Sequence, residues 1–202
     1  MKVDPSQFHP VSITDTCSVW KVLSSERLYN AAIGAKCVFA CTGCVVYECL
    51  HKRRKAVTPE DTDLQGRLKR EQQAGRFRTF SPSLEDLQHP HILAIRDRLG
   101  RGELSVLALA LCTGQAVMTD DPKARTLAEQ VVALDRVQTT PQLFGWLLFH
   151  NHLSDGDKDT VIHQHEEVRP RPLTRFLEDV YLWALECRLS ASAADRIRRN
   201  PD

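Results

Sequence analysis

The 202-residue sequence lacks an apolar run long enough to cross a membrane, which takes roughly 18 residues in succession. It also lacks the basic start and apolar stretch that mark a secretory signal peptide. The formal net charge is only +1, so affinity for nucleic acid has to come from a local patch. No internal repeat or low-complexity tract is present. These absences predict a cytoplasmic protein without membrane contact, and the length is typical of one domain.

Cysteine is present, but its pattern does not indicate disulfides. The count of seven is odd. Four cysteines lie in apolar runs, where cysteine acts as a small core side chain: Cys37, Cys49, Cys112 and Cys187. Cys41 and Cys44 have the spacing of half a zinc site, but no second pair follows at a suitable distance. We therefore expect reduced cysteines that pack in the core.

Short apolar runs alternate with helical patterns along most of the chain. Strands are predicted at residues 11–14, 36–40, 115–119 and 132–138. Helices are predicted at residues 16–32, 43–51, 84–99, 103–113, 122–130, 141–150 and 173–188. The helix at 103–113 is apolar nearly all round, which indicates burial. Such alternation predicts an α/β fold of three layers, α/β/α, with a central mainly parallel sheet.

Four acidic residues fall where these elements meet. Asp15 follows the first strand and Asp120 closes a later one, while Glu48 and Glu103 lie near the starts of two helices. In an open α/β sheet, functional groups gather outside the carboxyl ends of the strands, so these acids are expected to converge. Converging carboxylates repel one another unless a cation neutralises them, and hard oxygen ligands suit Mg²⁺ or Mn²⁺. The pattern predicts a metal-dependent phosphodiester-cleaving site.

These segments, in this order, resemble the PIN-domain nucleases, in particular the prokaryotic VapC-like proteins. The matching residues are Asp15-Thr16-Cys17-Ser18, Val45-Val46-Tyr47-Glu48, Gly102-Glu103-Leu104-Ser105 and Thr119-Asp120-Asp121-Pro122-Lys123-Ala124-Arg125. The resemblance covers about residues 11–150, and the remainder resembles the C-terminal extension of one prokaryotic subgroup. It implies a PIN-like nuclease domain at residues 1–150, with a loop and helical extension at 151–202 packed on the same domain.

The resemblance also implies an activity: a divalent-metal-dependent endoribonuclease, a hydrolase that cleaves RNA phosphodiester bonds. The catalytic quartet and ligands of Mg²⁺ or Mn²⁺ would be Asp15, Glu48, Glu103 and Asp120, with Asp121 as a further ligand. Hydroxyl neighbours that orient them would be Thr16, Ser18 and Thr119. Ser105 stands where many relatives carry an acid, which weakens the case for a second metal ion.

Two of these acids have alternative interpretations. Asp121 precedes Pro122, and Asp before a proline at the first helical position commonly caps a helix. Glu103 opens a helix, where a carboxylate complements the helix dipole. Both interpretations stay open on the sequence alone.

A basic stretch at residues 52–78 holds nine basic against four acidic side chains. Candidate RNA-binding residues in it are Arg53, Arg54, Lys55, Arg76 and Arg78, because such side chains give sequence-independent affinity for phosphate. Phe77 could stack a base. The alternative is a solvated helical hairpin. A separate histidine-rich segment at residues 150–165 suggests a metal cluster, but we interpret it as a surface loop.

Partners are implied by the family resemblance: an RNA substrate and an antitoxin protein that would hold a toxin inactive. In the C-terminal helix, Leu173, Leu177 and Ala184 suffice for docking and share a stripe with Phe176, Val180 and Tyr181, while Trp183 falls off that stripe. Exposed aromatic residues often anchor interfaces, so this helix is expected to serve a homodimer or antitoxin binding. Two other functions remain: a PIN-fold RNA- or protein-binding module without catalytic activity, and a structure-specific DNA nuclease, for which the extra acids and helical arch are not evident.

Overall fold

The structure, a computed structural model, describes residues 4–53, 56–168 and 173–199. Strands form one sheet in the order β3-β2-β1-β4-β5. Their bounds are β1 (Val11–Thr14), β2 (Val38–Thr42), β3 (Arg78–Phe80), β4 (Ala116–Met118) and β5 (Val137–Gln138). Every neighbouring pair is parallel. The predicted α/β class is therefore confirmed, with a parallel central sheet flanked by helices.

Helices fill most of the remaining chain. They are α1 (Thr16–Ser24), α2 (Glu26–Gly34), α3 (Gly43–Leu50), α4 (Pro59–Gln73), α5 (Leu84–Leu87), α6 (Pro90–Ile95), α7 (Arg101–Thr113), α8 (Pro122–Ala128), α9 (Thr140–Phe149), α10 (Asp157–Val168) and α11 (Thr174–Arg199). As its composition predicts, α7 is buried through most of its middle, from Ser105 to Ala110. Across the described ranges, no helix is both long enough and apolar enough to span a membrane.

The strand order creates a switch point between β1 and β4. The chain runs outward from β1 through β2 to β3, then returns to the other side of β1 to form β4 and β5. Thr14, the last residue of β1, lies opposite Met118, the last residue of β4. Ligands of open α/β sheets bind outside the carboxyl ends of strands where the order reverses in this way. Asp15 and Thr119 come directly after these two strand ends.

The chain divides into two compact units. The larger unit comprises residues 9–24 and 36–140 and contains the whole sheet. The smaller comprises the residues before 9, residues 25–35 and those from 141 onward. The division thus runs through the region 1–150, which the sequence groups in one domain.

In the smaller unit, α2 is joined to α10 by polar contacts. The Ser25 hydroxyl donates to Gln164 Oε1 at 2.9 Å. Arg27 forms an ion pair with Asp157 at 2.7 Å, and this guanidinium holds the pKa of Asp157 well below its ordinary value. Ser25 explains why the predicted helix at 16–32 is two helices: its extended backbone and its side chain, which accepts from the Leu28 N–H, cap α2.

Other predicted elements also differ from the structure. The segment 84–99 is broken into α5, α6 and a short 3-10 turn, with Pro90 opening α6. Among the described residues of the basic stretch, only α4 is helical, and it begins at a capping box formed by Thr58 and Asp61. The histidine-rich segment is not a loop throughout, because His163 and His165 lie on α10.

The three residues that the sequence predicts to dock the C-terminal helix are buried: Leu177 and Ala184 on α11, and Leu173 just before it. Phe176, on the same stripe, is 59% exposed. Trp183 is partly buried and has interactions of its own within the described chain. Leu182 and Leu189 add exposed apolar surface to this helix.

Candidate active site at the carboxyl ends of β1 and β4

Asp15 is the buried centre of this site. Its side chain follows β1 and accepts hydrogen bonds from the Ser18 N–H at 2.7 Å and from the Thr119 hydroxyl at 2.6 Å. Only 2% of the residue is exposed. Burial raises the pKa of Asp15 to about 6, and the charge of Asp120 acts in the same direction, while the Thr119 and Ser18 hydrogen bonds oppose it. Asp15 is thus a carboxylate whose negative charge is incompletely compensated.

Asp120 lies beside Asp15 and is held by a separate set of donors. Oδ1 accepts from the Thr140 N–H at 3.0 Å, and Oδ2 accepts from the Thr140 hydroxyl at 2.6 Å. The Ser18 hydroxyl also donates to Oδ2, at 3.1 Å. Ser18 therefore bridges the two aspartates, with its N–H on Asp15 and its O–H on Asp120. Lys21 Nζ lies 4.0 Å from Asp120 Oδ2 and brings a positive charge next to this pair.

Glu48 reaches the same region from α3. Its Oε2 accepts from the hydroxyl of Thr16, the residue after Asp15, at 2.7 Å. The carboxylate also packs against Gly102: a Cβ added there would lie 2.7 Å from Glu48 Oε2. Glycine at this position is what allows Glu48 to approach the first turn of α7, where the helix dipole favours a negative charge.

Glu103 has one carboxylate oxygen committed to its own helix. Oε2 accepts from the Gly100 N–H at 2.8 Å and completes the cap of α7. Glu103 also lines a small cavity together with Asp15 and Thr119. The helix-capping interpretation and the site interpretation are therefore both visible in the geometry of this residue.

Asp121 has the geometry of a helix cap. It is the N-cap of α8, with Pro122 in the first turn, and its Oδ1 accepts from the Ala124 N–H at 2.9 Å. Its backbone N–H lies 3.3 Å from the Thr119 hydroxyl. The interactions of the Asp121 side chain are those expected of a structural cap.

The oxygen atoms of these carboxylates are ligands that a divalent cation prefers, but their positions do not form a ready-made group of three or more ligands. Among the described residues, no group of three or more His, Cys, Asp or Glu side chains could hold a metal ion as they stand. Mg²⁺, however, commonly keeps several waters and takes only one or two carboxylates. Asp15 and Asp120 supply hard oxygens, and a carboxylate has about four acceptor positions, more than their donors use. The residues therefore fit an ion held by two aspartates, with Glu48 and Glu103 acting through water.

Two residues of the site are not predicted from the sequence. Lys21 lies one helical turn after Ser18 on α1, so its spacing from Ser18 is a signal that could have been used. Thr140 begins α9 and donates twice to Asp120 across 20 residues of sequence. No local sequence pattern predicts the role of Thr140, because that role depends on the pairing of β4 with β5.

The basic stretch differs from its prediction at Phe77. This ring is buried and stacks on Phe39, with centroids 5.4 Å apart, so it cannot receive a base. Arg76 pairs with Glu71. Arg53 and Arg78 are exposed. Arg54 and Lys55 lie outside the described residues.

All seven cysteines lie within the described ranges, and none of them forms a disulfide there. Cys37, Cys41 and Cys49 are buried, as the core interpretation predicts, whereas Cys44 and Cys112 are exposed and Cys187 is partly so, against that interpretation. Cys112 lies near the end of α7, beyond its buried part, which explains the difference.

Comparisons with known proteins do not identify a family: no protein-family model matches this chain, and no curated protein matches it. The resemblance to the PIN-domain nucleases thus rests on the sequence motifs alone.

Proposed function

We propose that this protein is a divalent-metal-dependent endoribonuclease of the PIN-domain type. One observation carries the proposal: two aspartates, Asp15 and Asp120, are held side by side at the switch point of a parallel sheet, in largely buried positions. Burying two neighbouring carboxylates is unfavourable for stability. A pair maintained at this position is best explained by a cation that it serves to bind.

Each member of the quartet has a separate role in this proposal. Asp15 and Asp120 would hold Mg²⁺ or Mn²⁺ directly, while Glu48 and Glu103 would act through water. When bound, the ion would polarise a phosphoryl oxygen and position the attacking water. Asp121 is left to cap α8.

The remaining chemistry is carried by the chain itself. Ser18 and Thr140 orient Asp120, and Thr119 orients Asp15, so both aspartates are fixed before any substrate arrives. A general base must accept the proton of the attacking water. Glu48 and Glu103 are both candidates, because each has only its Oε2 engaged, by the Thr16 hydroxyl and by the Gly100 N–H respectively.

The deciding experiment is a cleavage assay on single-stranded RNA. We expect cleavage with Mn²⁺ or Mg²⁺ and none with EDTA. Asp15→Asn and Asp120→Asn should abolish cleavage while the chain stays folded, because the change removes charge at nearly constant shape. Asp97→Asn is the matched control, since its side chain is 92% exposed and outside the site.

Each other outcome has a defined meaning. Undiminished cleavage by both variants would refute the catalytic assignment. Binding of RNA without cleavage in any metal would identify the alternative, a binding module. Co-expression with a genomic neighbour would test whether an antitoxin suppresses the activity, a role that so far follows only from the family resemblance.

The role of Glu48 can be tested without removing an acid. Gly102→Ala would place a methyl group where the Glu48 carboxylate lies. The glutamate should be displaced, and cleavage should fall while all four acids remain. Gly66→Ala on α4 is the control, because the nearest atom to its new Cβ is an arginine side-chain nitrogen at 3.5 Å. Equal activity of both variants would remove Glu48 from the mechanism.

A further inference from the structure

The edge strand β3 exposes an aromatic ring with a cation beside it. Phe80 is 45% exposed at the end of β3, although large apolar rings are usually buried. The guanidinium carbon of Arg78 lies 5.6 Å from the centroid of the Phe80 ring. In the described part of the chain, Arg78 has no carboxylate within ion-pair distance. Both side chains are therefore available to a ligand.

Arg78 and Phe80 share one face of the sheet, because alternate residues of a strand point to the same side. Thr79 points to the opposite side, where its hydroxyl accepts from Gln72 of α4 at 3.2 Å. The helix that precedes β3 thus contacts the other face through Gln72, although Thr79 stays exposed. All three residues of β3 are exposed, so the face that carries Phe80 is accessible at this edge of the sheet.

This face ends close to the acidic site within the same compact unit. Phe80 lies opposite Thr42, the last residue of β2. Thr42 contacts the Ser105 hydroxyl at 2.6 Å, and Ser105 donates to the Gly102 carbonyl at 2.7 Å. Gly102 is the residue against which the Glu48 carboxylate packs. A short chain of contacts therefore leads from Phe80 to the acids.

The spacing suits a nucleic-acid strand. Two strand separations lie between β3 and β1, and neighbouring strands are about 4.8 Å apart, which gives roughly 10 Å across the carboxyl edge. A few nucleotides of single strand can span such a distance. Base stacking on exposed aromatic rings, with arginine on the phosphates, is the general mode by which proteins bind unpaired strands.

We propose that Phe80 and Arg78 form a subsite for one unpaired nucleotide of the RNA substrate, with its base stacked on Phe80 and a neighbouring phosphate contacted by Arg78. This inference rests on the proposed ribonuclease function and assigns to Phe80 and Arg78 the binding of one nucleotide of the single strand. A base inside a duplex has no free face for the ring, so paired RNA would be excluded from the subsite.

The test is binding of a fluorescently labelled single-stranded RNA oligonucleotide, measured by polarisation. Protein with Asp15→Asn in EDTA is used throughout so that cleavage does not interfere. Phe80→Ala should weaken binding about 5- to 100-fold, the usual effect of losing one stacked base. Phe80→Tyr should keep the affinity for RNA that Phe80→Ala loses. Phe80→Leu should not keep it, because leucine keeps apolar area without a flat ring. Phe176→Ala is the control, because Phe176 is another exposed phenylalanine and lies on α11.

Two further measurements separate the contribution of the phosphate contact from that of the stacked base. Arg78→Gln should lower the slope of log K against log salt by about 0.7, the effect of one phosphate contact on a single strand. An oligonucleotide with one abasic position should bind wild-type and Phe80→Ala protein equally, since the stacked base is already absent. Duplex RNA should bind with no dependence on Phe80.

The outcomes distinguish this inference from the proposed function. If unmodified protein cleaves RNA but Phe80→Ala leaves binding unchanged, the subsite is refuted and the nuclease stands. If the protein neither binds nor cleaves RNA, the proposed function fails. If Phe80→Ala alters sedimentation instead of RNA affinity, β3 pairs with a second copy and the subsite is again refuted.

Discussion

Replacing Asp15 by Asn should stabilise the metal-free protein at neutral pH. The carboxylate is buried, and although hydrogen bonds from Thr119 and Ser18 lower its pKa, burial raises that pKa to about 6 from an ordinary value of 3.8. Each pKa unit corresponds to roughly 1.4 kcal/mol, so keeping this charge buried at pH 7 costs about 3 kcal/mol. Asparagine removes the charge and keeps an oxygen for the Ser18 N–H. The Thr119 hydroxyl can turn to accept from the new amide.

The effect has a definite pH dependence. Between pH 4 and 6 the folded protein holds a proton on Asp15 that the unfolded chain has released, so wild-type stability falls as the pH rises through this window. Asp15→Asn has no such group. The two proteins should therefore be almost equally stable at pH 4, and the variant should be more stable above pH 6. The greatest difference, about 3 kcal/mol, corresponds to a rise in Tm of roughly 6–12 °C for a chain of this size.

Thermal and urea unfolding in EDTA, from pH 4 to 8, measures this directly. Asp97→Asn serves as the control, because the same change at an exposed carboxylate should leave the pH profile unaltered. Saturating Mn²⁺ should reverse the order, since a bound ion stabilises the wild type and not the variant. A variant that is no more stable than wild type at pH 7 would refute the account of an uncompensated charge.

Three other changes have defined outcomes. Lys21→Met should raise the affinity for Mn²⁺ about fivefold or more, measured by calorimetry, because an ammonium 4.0 Å from Asp120 Oδ2 opposes the ion by at least about 1 kcal/mol; unchanged affinity would contradict this. Asp121→Ala should lower the free energy of unfolding by about 1 kcal/mol through loss of the α8 cap, and a larger loss of metal affinity than of stability would make it a ligand. Trp183→Ala should lower self-association in ultracentrifugation without unfolding the chain, and an unchanged association constant would exclude this residue from the interface.

The meeting of the strand-end acids can be predicted from the sequence, because it follows from a simple rule. Parallel strands carry their carboxyl ends to one edge, so acids after β1 and β4 must meet if the two strands are neighbours. The buried helix α7 is equally direct, since a helix apolar on all sides has no face for water. Both inferences use patterns that extend over many residues.

The features that the sequence does not reveal depend on single residues. A helical pattern runs on through Ser25, yet the capping bond of its side chain ends one helix and starts the next. Phe77 turns inward because it adopts φ 47°, shortly after Gly75 at φ 76°, and nothing in a non-glycine residue signals that conformation. The exposed ring of the basic stretch is therefore Phe80, three residues further on.

The order β3-β2-β1-β4-β5 also decides when the acidic site can exist during synthesis. The hydrogen bond between Thr119 and Asp15 spans 104 residues of chain. At a typical rate of protein synthesis, roughly 5 to 20 seconds separate the appearance of the two residues. During that time β1 has one open edge, and Asp15 lacks both the hydroxyl that orients it and its acidic neighbour. A chain whose synthesis stops before Thr119 carries Asp15, Glu48 and Glu103 but never assembles the aspartate pair, so the complete site forms only in chains that extend through Thr140.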